Sequence, residues 1–276
     1  MRRVVDTTRS RSACIVSKRH DLRGFCCSSI GPMGRTCPFC ANPARSNEHV
    51  IPLWISRRYL SNASRRAFFT LQDNDAAHQR QSRTINHKVK VCEDCNNGWM
   101  SVLENRAIPL LQGLADGTQT SVTGSEQELL AKWLFKMAVM HELLVPASGR
   151  TSTAKQRAGL RLGVVPIGWS AHIAKAEPEP TEAVTHRLGP VVNWTREDGS
   201  HRGRARLTTM RFGQMATQVV LHSLDVVPTF AELLGGDEFA AQIWPVEGPV
   251  TWPPGGTLTL AWFNIVCDLR DAPGKS

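Results

Sequence analysis

Three stretches decide the fold of this chain: Cys37-Pro38-Phe39-Cys40, Asn47-Glu48-His49-Val50-Ile51-Pro52 and Cys92-Glu93-Asp94-Cys95-Asn96-Asn97-Gly98-Trp99-Met100. Two cysteines separated by two residues can bring both thiolates to one ion, and a tetrahedral Zn²⁺ takes four such ligands. The spacing therefore predicts a structural zinc site that consists of Cys37, Cys40, Cys92 and Cys95. The ion would close a much longer loop than that of a simple zinc ribbon.

The loop between the cysteine pairs contains an acid next to an imidazole, Glu48-His49, followed by a predicted short strand at Val50-Ile51. Neighbouring side chains of a strand point to opposite faces, so the pair can serve two different partners. Residues 87–91 alternate polar and apolar side chains, which predicts a second strand. Residues 93–111 have helical spacing, and Pro109 is expected to bend or end that helix. The predicted order is strand, strand, helix.

These stretches resemble the HNH endonucleases, also called ββα-metal or His-Me finger nucleases, and within them a bacterial and phage subgroup. The resemblance covers about residues 37–113 and rests on the two cysteine pairs, Glu48-His49-Val50-Ile51-Pro52 and the run from Asn96 to Met100. It implies an α+β fold in which a zinc-stapled, treble-clef-like ββα-metal module precedes a mixed helix and antiparallel-sheet domain.

The resemblance also implies a reaction, the metal-dependent hydrolysis of nucleic-acid phosphodiester bonds, with DNA as the expected substrate. His49 would be the general base, because a neutral imidazole accepts a proton near neutral pH. Glu48 and Asn96 would hold a catalytic Mg²⁺ or Mn²⁺, an ion that needs only one or two protein oxygens, and Asn97 is the substitute for Asn96. The family's residue that orients the base is expected shortly before the third cysteine, where this chain has His87 with Asn86 beside it. Either side chain or a backbone carbonyl could take that role.

The net charge of +9 is distributed unevenly along the chain. Residues 1–36 carry eight basic and two acidic residues (+6), residues 37–113 ten and six (+4), and residues 114–276 fifteen and sixteen (−1). An anionic polymer would therefore be held by the first two segments. The candidate phosphate contacts are Arg57, Arg58, Arg65, Arg66, Lys88 and Lys90, although such a charge run can also be an ordinary solvated surface.

We predict four segments. Residues 1–33 are a basic disordered arm, which either adds phosphate contacts or is an irrelevant extension. Residues 34–113 are the HNH-like module, 114–124 a connection, and 125–276 a domain of unknown role. In that domain, helices are predicted at 128–144 and 151–162, and antiparallel strands at 169–174, 183–194, 204–212, 215–222 and 257–264, with a hairpin turn at Asp198-Gly199.

Several other classes are disfavoured. No apolar run reaches the roughly 18 residues of a membrane span, and Arg2-Arg3 lacks the apolar segment of an export signal, so a cytoplasmic protein is expected. The resemblance implies that it is bacterial or phage-encoded. The remaining cysteines, Cys14, Cys26, Cys27 and Cys267, are expected to be free thiols. His172, His186, His201 and His222 are isolated and are expected to be surface or satisfied residues.

Two alternatives to a nuclease stay open. The zinc module could be a non-catalytic nucleic-acid-binding module, or a scaffold for a C-terminal domain that binds a protein partner. At the level of single residues, Glu48 could cap a helix, His49 could be an interior histidine, and Asn96 could cap the helix that follows it.

Overall fold

The computed structural model describes residues 35–60, 66–73, 76–82, 86–177, 182–195, 201–223 and 239–259. The arm at 1–33, the turn at Asp198-Gly199 and the four remaining cysteines lie outside these ranges. Within these ranges the α-helices are α1 Leu53–Tyr59, α2 Ser101–Ala115, α3 Gly124–Glu142 and α4 Ala154–Arg161. The strands are β1 Ser46–His49, β2 Arg66–Asp73, β3 Ala76–Ser82, β4 Lys88–Val91, β5 Ser121–Val122, β6 Ser170–Lys175, β7 Glu182–Thr195, β8 His201–Phe212, β9 Met215–His222, β10 Ala240–Trp244 and β11 Val250–Thr251.

The two strands predicted next to the cysteines, β1 and β4, form a two-stranded antiparallel sheet. We refer to this pair as the β1–β4 hairpin, although α1, β2 and β3 lie between its two strands in the chain. The first strand was expected at Val50-Ile51 but is Ser46–His49, and Val50 and Ile51 are buried directly after it. Pro52 has no backbone N–H for a sheet and precedes the first residue of α1, so the chain leaves the hairpin there. The predicted strand at 87–91 is confirmed as Lys88–Val91.

The helix predicted at 93–111 is divided into two parts. A π-helical segment, Asp94–Met100, is interrupted at Gly98 (φ −89°, ψ −111°), and α2 continues from Ser101 to Ala115. Pro109 does not end the helix, because Leu110, Leu111 and Leu114 pack into the core beyond it. Their burial outweighs the one backbone hydrogen bond that a proline removes.

A sheet of seven strands, in the order β10-β6-β9-β8-β7-β2-β3, combines five strands of the second half of the chain with β2 and β3 of the first half. The predicted antiparallel arrangement holds for five of its neighbouring pairs, whereas β2 and β7 are parallel. The β2-β3 hairpin comes from the long loop between the cysteine pairs, so this loop hydrogen-bonds to the segment predicted as a separate domain. The strand predicted at 257–264 is described only to residue 259, where Leu258 forms a bridge with Ala176.

One ring in the sheet joins the two halves of the chain. Phe212 of β8 lies 5.9 Å from the Trp54 ring and 5.6 Å from the Tyr59 ring, both of α1, and 6.3 Å from Trp133 of α3, measured between ring centroids. Buried residues continue through the predicted connection, where Leu114 and Val122 are fully inaccessible to solvent. A continuous apolar core thus extends from the cysteines to the sheet.

The two predicted helices of the second half are present with shifted ends. α3 was expected at 128–144 and begins four residues earlier, at Gly124, because Thr123 and Glu126 form a capping box there. α4 was expected at 151–162 and is Ala154–Arg161, capped in the same way by Thr153 and Gln156. Among the described residues, no helix has both the length and the apolar character needed to cross a membrane.

Candidate metal centre and active site

The four predicted zinc ligands come together as expected. The sulfur atoms of Cys37, Cys40, Cys92 and Cys95 all lie within 4.8 Å of one another. Cys40 Sγ is 3.5 Å from Cys92 Sγ and 3.8 Å from Cys95 Sγ. Tetrahedral zinc with Zn–S bonds of about 2.3 Å requires sulfurs about 3.8 Å apart. The donor set therefore fits a four-coordinate zinc ion.

Backbone and ring contacts hold each cysteine pair in this arrangement. The Cys37 N–H donates to the Asn42 carbonyl at 2.8 Å, and the Cys95 N–H donates to Cys92 Sγ at 3.4 Å. The Asn42 side chain donates to Asp94 Oδ2 at 3.0 Å, which ties the first pair to the second. The rings of Phe39, inside the first cysteine pair, and Trp99, four residues after Cys95, meet edge to face at 5.4 Å between centroids.

Burial raises the pKa of the Cys40 and Cys95 thiols. Zinc binds thiolates, so binding must displace these protons and weakens as the pH falls. The cluster is accordingly a site in which metal and protons compete.

His49 lies on the outer face of the β1–β4 hairpin. Its cross-strand partner is Lys88, and Asn47, two residues earlier on the same face, is paired with Lys90. Lys88, Lys90 and Asn47 are exposed, whereas His49 is half-buried. The candidate base therefore shares its face with two lysines predicted as phosphate contacts.

The surroundings of His49 favour the neutral imidazole. Burial lowers the pKa of His49, and the Lys88 ammonium acts in the same direction. The Glu48 carboxylate and a hydrogen bond with the Asn86 side chain oppose this shift without reversing it. A half-buried imidazole with a lowered pKa is available to accept a proton at neutral pH.

The two candidates for orienting the base have different neighbours. Asn86 hydrogen-bonds to His49. The carbonyl of His87 accepts the Val50 N–H at 2.8 Å, and its ring is close enough to His141 and His186 to lower the pKa of both. Asn86 is therefore a side chain that can orient His49.

Glu48 faces the opposite side of the hairpin, toward the protein interior. Its Oε1 accepts from Lys136 Nζ of α3 at 2.5 Å, and the same ammonium lies 3.4 Å from Glu104 Oε2 of α2. Lys136 is fully buried, while the side chains of Glu48 and Glu104 are 15% and 22% exposed. Burial raises the pKa of Glu104, and the Lys136 ammonium opposes that shift.

Sequence reasoning missed both Lys136 and Glu104. A signal for Lys136 is present, because it stands three residues after Trp133 and four before Met140, in the apolar stripe of α3. A lysine at such a position needs a buried partner.

Asn96 lies along the same face of β1 as Glu48. Its Nδ2 donates to Ser46 Oγ at 2.6 Å and to the Asn47 carbonyl at 3.3 Å, and Ser46 and Glu48 alternate with Asn47 on the strand. Within the part of the chain that the structure describes, neither Asn96 Oδ1 nor Glu48 Oε2 accepts a hydrogen bond. Asn97, the substitute ligand, is exposed.

A basic cleft adjoins the outer face of the hairpin. It has a volume of about 790 Å³, and its polar lining residues include Arg35, Asn47, Lys88, Lys90 and Arg150. No acidic side chain is among the described residues that line it. The cleft is therefore suited to a polyanion.

The other predicted phosphate contacts lie elsewhere. Arg57 and Arg58 are exposed on α1 and do not line the cleft, and Arg58 forms an ion pair with Asp116. Arg65 lies outside the described residues, and of Arg66 only the backbone position at the start of β2 is described.

Three of the isolated histidines are buried. His172, His186 and His222 have little or no exposed surface, and for His201 only the backbone is described. His186 packs against His141 of α3 with 3.8 Å between ring centroids.

Comparisons with protein-family models, with curated proteins and with solved structures found no match for this chain.

Proposed function

We propose that this chain is a metal-dependent endonuclease of the HNH type that hydrolyses phosphodiester bonds of nucleic acid, with DNA as the substrate and the cytoplasm as its setting. One observation carries the proposal. His49 lies on the outer face of the β1–β4 hairpin, directly opposite Lys88, which lines the basic cleft, and the four clustered cysteines flank these two strands in the chain.

The proposed role of His49 is that of general base. The imidazole takes a proton from a water molecule, the water oxygen attacks phosphorus, and the bond to the leaving oxygen breaks as that oxygen acquires a proton. The hydrogen bond with Asn86 holds the ring in place during the transfer. A protonated His49 cannot take this role, which is why its lowered pKa supports the proposal.

The proposed path of the substrate is the basic cleft. Lys88 and Lys90 project from the face that carries His49, and Arg35 and Arg150 extend the positive charge along the cleft. Such contacts hold a phosphate backbone without regard to its sequence, and they weaken as salt is added.

Glu48 and Asn96 are the residues that would hold a catalytic Mg²⁺ or Mn²⁺. Glu48 Oε2 and Asn96 Oδ1 are oxygens on one face of β1 that accept no hydrogen bond from the described residues, and this donor chemistry suits a hard divalent cation. When bound, such an ion would supply positive charge to the scissile phosphate and the leaving oxygen.

The decisive experiment compares the wild-type protein with His49→Ala and His49→Asn. Each is incubated at low salt with supercoiled plasmid and Mg²⁺, Mn²⁺ or EDTA, and nicking and linearisation are followed. We expect metal-dependent cleavage by the wild type and a loss of about 10²- to 10⁴-fold in both variants, the usual contribution of a general base. Zinc content and circular dichroism should not change.

Glu128→Gln serves as the control for preparation and surface charge, because Glu128 is exposed on α3 and pairs only loosely with Lys132 at 3.6 Å. It should cleave like the wild type. Cleavage by His49→Ala at the wild-type rate would refute the assignment of the base.

A non-catalytic nucleic-acid-binding module is the second candidate function. It is favoured by the ion pair of Glu48 with Lys136, which gives this carboxylate a structural role independent of catalysis. Under this alternative the wild type binds DNA in a salt-dependent manner and does not cleave it, whichever metal is added. Replacing Lys88 and Lys90 would then weaken binding, while His49→Ala would leave binding intact.

A further inference from the structure

A buried lysine from outside the segment that resembles HNH nucleases reaches the candidate catalytic site. Lys136 belongs to α3, and its side chain has no exposed surface. Its neighbours along the helix, Phe135 and Met137, are also buried. Burying a lysine ammonium in such surroundings costs free energy unless a buried group of opposite charge pairs with it.

Two carboxylates from different elements match that charge. Glu48 of β1 lies 2.5 Å from the Lys136 ammonium, and Glu104 of α2 lies 3.4 Å from it. Lys136 thus links three elements, the hairpin, α2 and α3, at one point. The cluster of one ammonium and two carboxylates has a formal charge of −1.

Stability alone gives a weak reason for this cluster, because apolar residues of similar volume often stabilise a protein interior as well as a buried ion pair does. What the cluster does fix is the direction of Glu48. While Oε1 accepts from the Lys136 ammonium, Oε2 accepts no hydrogen bond from the described residues, and Asn96 contacts the same face of β1 through Ser46. Glu48 is also the residue next to His49.

We propose that Lys136 is a positioning residue of the nuclease site: its ammonium holds the Glu48 carboxylate in one orientation, and Glu104 holds the ammonium. This inference rests on the proposed nuclease function and extends it. The ββα segment alone lacks this support, so α3 completes the site, and the second half of the chain is part of the nuclease.

The test uses Lys136→Met and Lys136→Arg in the full chain, with Lys132→Met as the matched control. Lys132 lies one turn earlier on the same helix, is 30% exposed and pairs with Glu128. For Lys136→Met we expect kcat to fall about 100-fold, the order of loss that misplacement of a supporting group produces, with KM for DNA unchanged. Lys136→Arg should recover most of the activity, and Lys132→Met should equal the wild type.

Binding of Mn²⁺ alone, measured by titration calorimetry, separates positioning from simple loss of the fold. Without the ammonium, Glu48 and Glu104 are two uncompensated carboxylates, so Lys136→Met should bind Mn²⁺ at least as tightly as the wild type while cleaving more slowly. Parallel loss of Mn²⁺ affinity and kcat would overturn the proposal, and so would Lys136→Met cleaving like Lys132→Met.

A measurement that needs no activity covers the case in which Lys136→Met does not fold. In NMR spectra of the lysine ammonium groups, the wild type should show one slowly exchanging ammonium, and Glu48→Gln should shift it. An averaged, rapidly exchanging signal for Lys136, like that of Lys132, would overturn the contact. If the wild type shows the contact but cleaves no DNA, the proposed function itself is overturned. If the wild type cleaves DNA and Lys136→Met cleaves it at the same rate, only the role of Lys136 is overturned.

Discussion

The segment around the four cysteines and the segment of α3 and the seven-stranded sheet are held together by different means. The first has strands of four residues and a helix of seven, and its candidate site residues lie at or near the surface. The second has a helix of 19 residues, and strand β9 is buried along its whole length. A small segment that buries little apolar surface needs a metal, whereas a large one is stabilised by its core.

The two segments also differ in whether their polar side chains are exposed or buried. In the first segment, His49, Lys88 and Lys90 remain open to solvent and to a ligand. In the second, Lys136, His141 and His186 are fully buried, and each is constrained by what surrounds it. The comparison teaches that a metal ion at the four cysteines would fix exposed polar groups in position, while the core fixes buried ones and makes stability depend on their charge.

Removal of the metal is the largest expected perturbation of this comparison. Cys92→Ser should abolish stoichiometric zinc and unfold the hairpin, because zinc contributes on the order of 10 kcal/mol to small metal-folded modules. Hydrogen exchange should show loss of protection in β1 and β4. The loss should be smaller in β8 and β9, because these strands also belong to the core that contains α3.

Cys14→Ser, a cysteine outside the cluster, is the control and should retain one zinc ion per chain. Retention of one zinc ion and normal melting by Cys92→Ser would show that the four-cysteine site is wrong. Equal loss of protection in β1 and β9 would show that the two segments do not differ in the way described.

Local spacing explains why the metal cluster could be predicted. Each cysteine pair lies within one turn, and the motif around Glu48 and His49 is continuous in sequence, so neither depends on knowing the tertiary fold. The strand shifted from Val50-Ile51 to Ser46–His49 because apolar residues mark burial and not hydrogen bonding. The parallel pairing of β2 with β7 could not be predicted, since it joins residues more than a hundred positions apart.

The supporting groups of the site were harder to predict than its central residues. Lys136 and Glu48 are 88 positions apart, and the sequence around neither residue predicts that the two are in contact. The choice between Asn86 and His87 likewise depends on which side chain faces His49 once β4 is in register with β1. Sequence spacing selects ligands of one ion well, but tertiary packing selects the partners that orient them.

Acidification should destabilise the second segment through its buried histidines, the next largest effect. Burial lowers the pKa of His186 to about 3 and holds that of His141 well below its usual range. An unfolded histidine has a pKa of about 6.5, so protons bind the unfolded chain more strongly, and stability present above that pH is lost as the pH falls below it. Between pH 7 and pH 5 the buried His186 should lower the free energy of unfolding by on the order of 2 kcal/mol, and His141 should act in the same direction.

Urea unfolding of the wild type and of His141→Gln and His186→Gln at each pH measures this loss. Zinc dissociation at low pH acts on all three proteins alike, so the difference between them isolates the histidines. The variants should show a shallower decrease of the free energy of unfolding with acidification. A pH dependence identical to that of the wild type would contradict the role of the buried pair.

The smallest expected effect compares two helix caps within the second segment. Thr123 caps α3 and Thr153 caps α4, each in a capping box with the residue three positions later. Loss of such a cap usually costs about 1 kcal/mol. Because α3 is buried over most of its length, its first turn should unfold only together with the core, so Thr123→Ala should lower the global free energy of unfolding by about that amount.

Thr153→Ala removes the same interaction from a helix whose one buried residue is Leu160. Its first turn can open locally, so the loss should appear as faster hydrogen exchange in α4 with a smaller change in global stability. Equal changes in global stability from the two variants would place α4 in the same cooperative unit as α3. Unequal changes would show that the core-held segment ends at α3 and the sheet, which leaves α4 free to open without disturbing Lys136.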